Sequence, residues 1–167
     1  MDANALRALQ APLKERYKQD PTAALVTLKA QGSVDDAQVA CKVETGKALA
    51  IAGLHPATGG TGAEICSGDM LLEALVACAG VTLRAVATSM RLDVTGTVHA
   101  EGDLDFRGTL GVDKQAPVGF RDIRLTFDLT TDADADQLAG LVKLTERYCV
   151  VLQTIRQSPT TSVHVTT

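Results

Sequence analysis

Between Met70 and Met90 the chain carries only two charges, Glu73 and Arg84, in a run dominated by Leu, Val and Ala. A helix that is apolar nearly all round has to be buried nearly all round. A membrane span is the rival reading, since ~20 apolar residues suffice to cross a bilayer. The two charges interrupt the run, and the flanking sequence has the pattern of water-soluble strands. The expectation is therefore a long central helix wrapped by sheet.

The wrapping is visible downstream. Leu92, Val94, Gly96, Val98, Ala100, Gly102, Leu104 and Phe106 alternate with Asp93, Thr95, Thr97, His99, Glu101, Asp103 and Asp105. A period of two is a strand with one wet face. Ile123, Leu125, Phe127 and Leu129 repeat it, and Arg107 to Gly119 reads as the connection between the two strands. Such one-sided strands suit an antiparallel sheet. Upstream, Leu6, Leu9 and Leu13 predict an amphipathic helix over residues 3–17, ending before Asp20-Pro21. Short strands are expected at 24–30, 39–44 and 48–54. A turn is expected at Gly46-Lys47 and a loop over 55–62. Val39, Cys41 and Val43 share one face of the second strand.

A second apolar helix is expected from about Thr131, with Asp132, Asp134 and Asp136 against the positive end of its backbone dipole. Leu138, Leu141, Val142, Thr145 and Cys149 share its inner face. Helix continues to about Ile155, Ser158-Pro159 breaks it, and residues 163–165 close the chain as a short strand. The architecture is α+β. Residues 1–20 form a helical extension and residues 21–167 a single domain.

Composition removes several partners. The 167 residues hold 16 Lys and Arg against 20 Asp and Glu, a formal charge of -4, with two Tyr, three Phe and no Trp. That balance supplies neither a basic face for duplex DNA or an anionic membrane nor a stacking platform for single strands. The amino end lacks the continuous apolar segment and cleavage site of a secretory signal, so a cytoplasmic setting with reduced thiols is expected. Cys41, Cys66, Cys78 and Cys149 then need not be a disulfide framework. No C-x-x-C or H-x-x-x-H spacing marks a zinc site.

Two readings of the cysteines stay open. Free cysteine packs as a small hydrophobe, and periodicity alone makes filler the commoner fate. Cys41 on a strand and Cys66 in a loop fit filler best. Cys78 and Cys149, however, lie on apolar helical faces. A peroxide-reducing thiol needs a stabilised thiolate, a second thiol able to reach its sulfenic acid, and an apolar pocket. Other motifs carry less. Gly59-Gly60-Thr61-Gly62 has no following Lys-Ser/Thr and reads as a flexible loop. His55, His99 and His164 show no partner for base catalysis. Asp93, Glu101, Asp103 and Asp105 read as a solvated strand face. Glu73 and Arg84 stand about three helical turns apart and face solvent or a partner.

The run Cys66-Ser67-Gly68-Asp69-Met70-Leu71-Leu72-Glu73-Ala74-Leu75-Val76-Ala77-Cys78 resembles the central-helix signature of the OsmC/Ohr family (osmotically inducible protein C and organic hydroperoxide resistance proteins). There a Pro-x-Glu-like start leads through Leu and Ala into Ala-Cys or Gly-Cys. Thr145-Glu146-Arg147-Tyr148-Cys149-Val150-Val151 resembles the family's second cysteine motif, and the order of elements agrees from about Thr22 to Val165. This chain has Val150 where the family usually has proline after the second cysteine, and Gly68 where it has proline at the helix start. No arginine occurs between Pro21 and Leu83 to stand in for the family's active-site arginine.

The resemblance implies an OsmC-like fold, with antiparallel sheets around a long buried helix, in an intertwined homodimer with sites at the interface. It implies a thiol peroxidase reducing organic hydroperoxides without metal, flavin or other cofactor, recycled by a lipoyl or thioredoxin-type dithiol. Cys78 takes the place of the peroxidatic nucleophile and Cys149 that of the resolving thiol. Asp69 is the nearest carboxylate to the family's helix-start glutamate. Arg107, Lys29 and Lys42 are the cations available to replace its arginine, with Arg147 near Cys149. The alternative is a small-molecule-binding or redox-sensing protein on the same scaffold, with little or no turnover.

Overall fold

The computed structural model describes residues 2–5, 7–8, 10–11, 19, 31–34, 40–44, 49–111 and 113–166. Its chain divides into two compact units. The first holds Met1–Arg7, Ala74–His99 and Phe127–Thr167, and the second Ala8–Glu73 and Ala100–Thr126.

The apolar run becomes one helix of 24 residues, α1 (Ser67–Met90). Among the described residues it is the one helix long and apolar enough to cross a membrane, with a mean hydropathy of 1.8 over its best 18-residue window. Its burial is one-sided. Leu75, Ala79, Leu83, Val86 and Ala87 recur at helical spacing and are buried, while Val81 is 73% exposed. Burial on every side, expected from composition, is met on this stripe only, because a single chain supplies cover for only part of the helix.

In the first unit the stripe packs on α3 (Ala135–Tyr148) and on the sheet formed by β5 (Val94–Asp103) and β6 (Asp122–Thr131). Leu83, Val86, Ala87, Val94 and Leu141 make the core, with Met90, Leu92, Phe127, Leu129, Leu138 and Leu144 around it. Each fully buried Leu contributes roughly 1.5–3 kcal/mol by leaving water. The alternation along β5 and β6 is realised, with the apolar positions of β6 half-buried and the polar ones exposed. The Thr131 hydroxyl donates to the Asp93 carbonyl (2.7 Å) and the Arg121 N–H to the Asp103 carbonyl (2.8 Å), so the strands run antiparallel. Gly96, at φ 139°, lets them approach closely, because a Cβ there would run into the Asp128 carbonyl oxygen.

Asp134 caps α3. Its carboxylate accepts the Gln137 N–H (2.8 Å), and the Gln137 side chain accepts the Asp134 N–H (3.0 Å). The helix begins at Ala135 rather than near Thr131, because β6 holds the chain in sheet through Thr131. After Cys149 a short helix, α4 (Val150–Arg156), continues. Residues 163–165 are irregular, and Val163 is 92% exposed. The expected closing strand is absent, since a strand needs a neighbour to take its backbone hydrogen bonds and none is present among the described residues.

In the second unit β1 (Gln31–Val34), β2 (Ala40–Glu44), β3 (Leu49–Gly53) and β4 (Ile65–Cys66) form a sheet in that order. β2 pairs antiparallel with both neighbours, Cys41 standing opposite Val34 and Ala52, and β4 joins β3 in parallel. β1 was not anticipated, and Cys66 lies on a strand rather than in a loop. The strand expected at 24–30, the turn at Gly46-Lys47 and Lys29 lie outside the described residues, as do the side chains of Cys41 and Lys42. Of the amino-terminal helix, residues 3–5, 7–8 and 10–11 are described and helical. The loop over 55–62 holds a turn of 3-10 helix at Pro56–Thr58. The His55 ring caps it, accepting the Ala57 N–H at Nδ1 (3.0 Å) and stacking on Phe106 at 4.9 Å. A further short helix, α2 (Phe106–Thr109), interrupts the connection between β5 and β6.

Candidate functional site

Cys78 lies midway along α1, beside the buried stripe, and is half-buried. Cys149 is fully buried, at 0% exposure. It is the joint between α3 and α4: its N–H donates to the Thr145 carbonyl (2.9 Å), closing α3, and its carbonyl accepts the Gln153 N–H (3.0 Å), opening α4. Two bonds clamp the joint. The Gln153 side chain donates to the Glu146 carbonyl (2.7 Å), and Arg156 donates to the Glu146 carboxylate (2.8 Å). Cys149 is thus placed by two helix ends rather than by its own flexible side chain.

This arrangement brings the two sulfurs together, and each thiol acts on the other. The first N–H groups of a helix have no partner within it. Cys149 makes no side-chain cap bond to α4, and the N–H groups of Val150, Val151 and Leu152 are left to act on the two sulfurs. Burial pushes the Cys78 thiol up. The Val151 N–H, the Cys149 thiol, the Val150 N–H and the Thr82 hydroxyl lie where they can donate to its sulfur and together outweigh burial, so its pKa falls below the ordinary value. Cys149 moves the other way. Burial raises it, and its bond to Cys78 and the charge on Cys78 raise it further, against the N–H groups of Leu152 and Val151. The two shifts run in opposite directions, so Cys78 gives up its proton before Cys149 does, the order a nucleophile and a waiting thiol require.

The other expected site residues lie in the second unit. Asp69 is exposed in the first turn of α1. Arg107 is engaged by Asp105, whose carboxylate takes its Nε (2.9 Å) and Nη2 (2.6 Å), and by Asp113 at 3.6 Å. That bond, with the Arg107 N–H, holds the Asp105 carboxyl down at about 2. Among the described residues neither Asp69, Arg107 nor any other charged side chain figures among the groups acting on the Cys78 sulfur. Sequence reasoning sought a cation and missed the donors present. Backbone N–H groups leave no trace in a sequence, but Thr82 did, four residues after Cys78 on a helix. Cys66 is a free, half-buried thiol. Among the described residues no group of three or more His, Cys, Asp or Glu is placed to hold a metal ion. His99 lies beside Thr97 (2.9 Å) and Asp128 (3.4 Å), both ordinary surface contacts.

A family profile described as OsmC-like protein matches residues 60–164, which include both cysteines and every element from β4 through α4. The chain belongs to the OsmC-like family. Its fold is shared with the OsmC-like protein from Mycoplasma pneumoniae, at a TM-score of 0.65 and 13% identity over 80% of this chain and 89% of that one. The organic hydroperoxide resistance protein OsmC from Legionella pneumophila, also described as a predicted redox protein, gives 0.57 at 19% identity, over 80% and 92% of the two chains. The organic hydroperoxide resistance protein OhrB of Bacillus subtilis gives 0.52 at 20% identity, over 81% and 94%. Identities this low speak for the fold. No curated protein matches the chain in sequence.

Proposed function

We propose that this OsmC-like chain is a thiol-dependent peroxidase that reduces organic hydroperoxides. The observation that carries the reading is that Cys78 and Cys149 lie close enough to act on one another, Cys78 drawn below and Cys149 pushed above the ordinary thiol pKa. The Cys78 thiolate attacks the terminal oxygen of ROOH, the O–O bond breaks, and the alkoxide leaves with a proton from solvent as ROH. Cys78 is oxidised to the sulfenic acid. The Cys149 thiol, already within reach, attacks that sulfur. Hydroxide leaves with the Cys149 proton as water, and a Cys78–Cys149 disulfide forms. An external dithiol of lipoyl or thioredoxin type then restores both thiols and leaves as its own disulfide.

The working form in this reading is a cytoplasmic homodimer. Support comes from apolar surface that one chain leaves open in the first unit: Val81 is 73% and Val150 69% exposed, beside the half-exposed Tyr148. A second copy covering α1 supplies the all-round burial its composition calls for.

The test is the consumption of cumene hydroperoxide with excess dithiothreitol. The wild-type protein is expected to turn over, and Cys78→Ser to fall to the rate without protein. Equal rates for the two would overturn the reading. A wild type that oxidises once and does not cycle would favour the sensor instead.

A further inference from the structure

The Thr82 hydroxyl is one turn beyond Cys78 on α1 and half-buried, and it donates to the Cys78 carbonyl at 2.7 Å. A helical carbonyl already receives the N–H four residues on, so this second bond is surplus. The hydroxyl has one proton and two acceptors in reach, the Cys78 carbonyl oxygen and the Cys78 sulfur. Nothing else in the helix needs the first bond. We propose that Thr82 holds the reactive sulfur: its hydroxyl turns from the Cys78 carbonyl to Sγ as the thiol loses its proton, and back as the sulfur becomes neutral.

A charged acceptor draws a hydrogen bond about twice as strongly as a neutral one, so the preference reverses with the charge on sulfur. The device suits a site whose sulfur has no cation beside it among the described residues. Cys149 is the titratable group facing Cys78, and the remaining donors, the N–H groups of Val150 and Val151, are fixed backbone. Unlike those amides, the Thr82 hydroxyl can change partner by rotating a single bond, and unlike the Cys149 thiol it is not consumed in the chemistry.

The same helix supplies a control. Thr88 makes the same kind of bond to the Arg84 carbonyl (2.8 Å), with an arginine rather than a cysteine four residues before it. Thr82→Val keeps the shape and removes the donor, Thr82→Ser restores it, and Thr88→Val removes a back-bond of no chemical consequence.

The readout is the pH profile of Cys78 alkylation by iodoacetamide, followed by peptide mass on the reduced full-length protein. This inference rests on the peroxidase reading for its purpose, but its readout needs no peroxide. Thr82→Val is expected to move the profile to higher pH and slow alkylation at pH 7 about fivefold. Thr82→Ser and Thr88→Val should follow wild type. A profile unchanged in Thr82→Val overturns the inference while leaving the peroxidase reading intact. A shift in Thr88→Val equal to that in Thr82→Val overturns it too, because loss of any helical back-bond would then explain the effect. Circular dichroism checks that each variant is folded, and Thr82→Asn, which retains a donor in a different shape, replaces Thr82→Val should that variant unfold. With Asn, alkylation slowed as far as in an unfolded control counts against the inference, and a profile near wild type supports it.

Discussion

The two units solve opposite electrostatic problems. In the first, a thiol on α1 is drawn below its ordinary pKa by neutral donors: two backbone N–H groups, a thiol and a hydroxyl. In the second, full charges answer full charges in the open. Arg107 grips Asp105, and Arg124 holds Asp103 and Asp122 at 2.6 Å with Glu101 at 3.5 Å. Exposed ion pairs are screened by water and salt and typically add at most about 1 kcal/mol each. Dipoles fixed beside a half-buried sulfur work in a medium of lower dielectric, so each counts for more. Chemistry in this protein is thus expected where the formal charges are not.

The strongest way to break that comparison is to remove the waiting thiol. Cys149→Ser should leave the first oxidation of Cys78 intact and abolish the disulfide. With excess hydroperoxide, Cys78 should then proceed to sulfinic acid, seen by intact mass as two added oxygen atoms. A variant that still cycles with dithiol at the wild-type rate would show that the contact between the sulfurs is incidental.

Val150→Pro sharpens the comparison at the level of one donor. Val150 is the first residue of α4, where proline is well tolerated, and Cys149 at φ −71°, ψ 104° already has the conformation that precedes proline. The substitution deletes the Val150 N–H that reaches Cys78 and little else, since the Val150 side chain is mostly exposed. Alkylation of Cys78 at pH 7 should slow by about three- to tenfold with the helix content unchanged.

The smallest effect is expected from the charged side. Arg107→Gln should leave Cys78 alkylation within error of wild type while partly releasing Asp105, whose carboxyl then titrates above about 2 but still below its ordinary value, held by the residue 107 N–H and Arg121. The folded pKa of Asp105 is depressed. Whatever stability it contributes is therefore present above the ordinary carboxylate pKa and is lost as pH falls toward about 2. Carbon-detected NMR titration of the Asp105 carboxyl reads the shift, and acid unfolding should begin at slightly higher pH in the variant. A slowed Cys78 in Arg107→Gln would restore a cation to the site and dissolve the contrast between the units.

How much of this was legible beforehand follows from where the information lies. The apolar run announced α1, and the strict alternation of Val94 through Asp103 and of Ile123 through Leu129 announced β5 and β6. Hydrophobic period is a property of side chains and survives in one dimension. Gln31–Val34 has no such period, and its pairing with β2 is a matter of backbone hydrogen bonds. Val163 and Val165 do alternate, yet form no strand, because alternation names a face and does not provide a neighbour. At the site, helical faces alone left Cys78 and Cys149 as filler or chemistry, and the resemblance of the runs around them to the OsmC/Ohr motifs singled them out. The groups that tune them could not be singled out, apart from Thr82, because a backbone N–H is common to nearly every residue. Arg107 drew attention as a cation, and the carboxylates two positions before it and six after it claimed it locally.

Because Cys149 ends one helix and starts the next, a bond to Cys78 acts directly on the first turn of α4. A disulfide sulfur is a poorer acceptor than a thiolate, so oxidation strips the leading amides of α4 of their partner. Those amides should exchange with deuterated solvent faster in the oxidised protein than in the reduced one. The peptide group thereby becomes a reporter of the redox state, legible without any label.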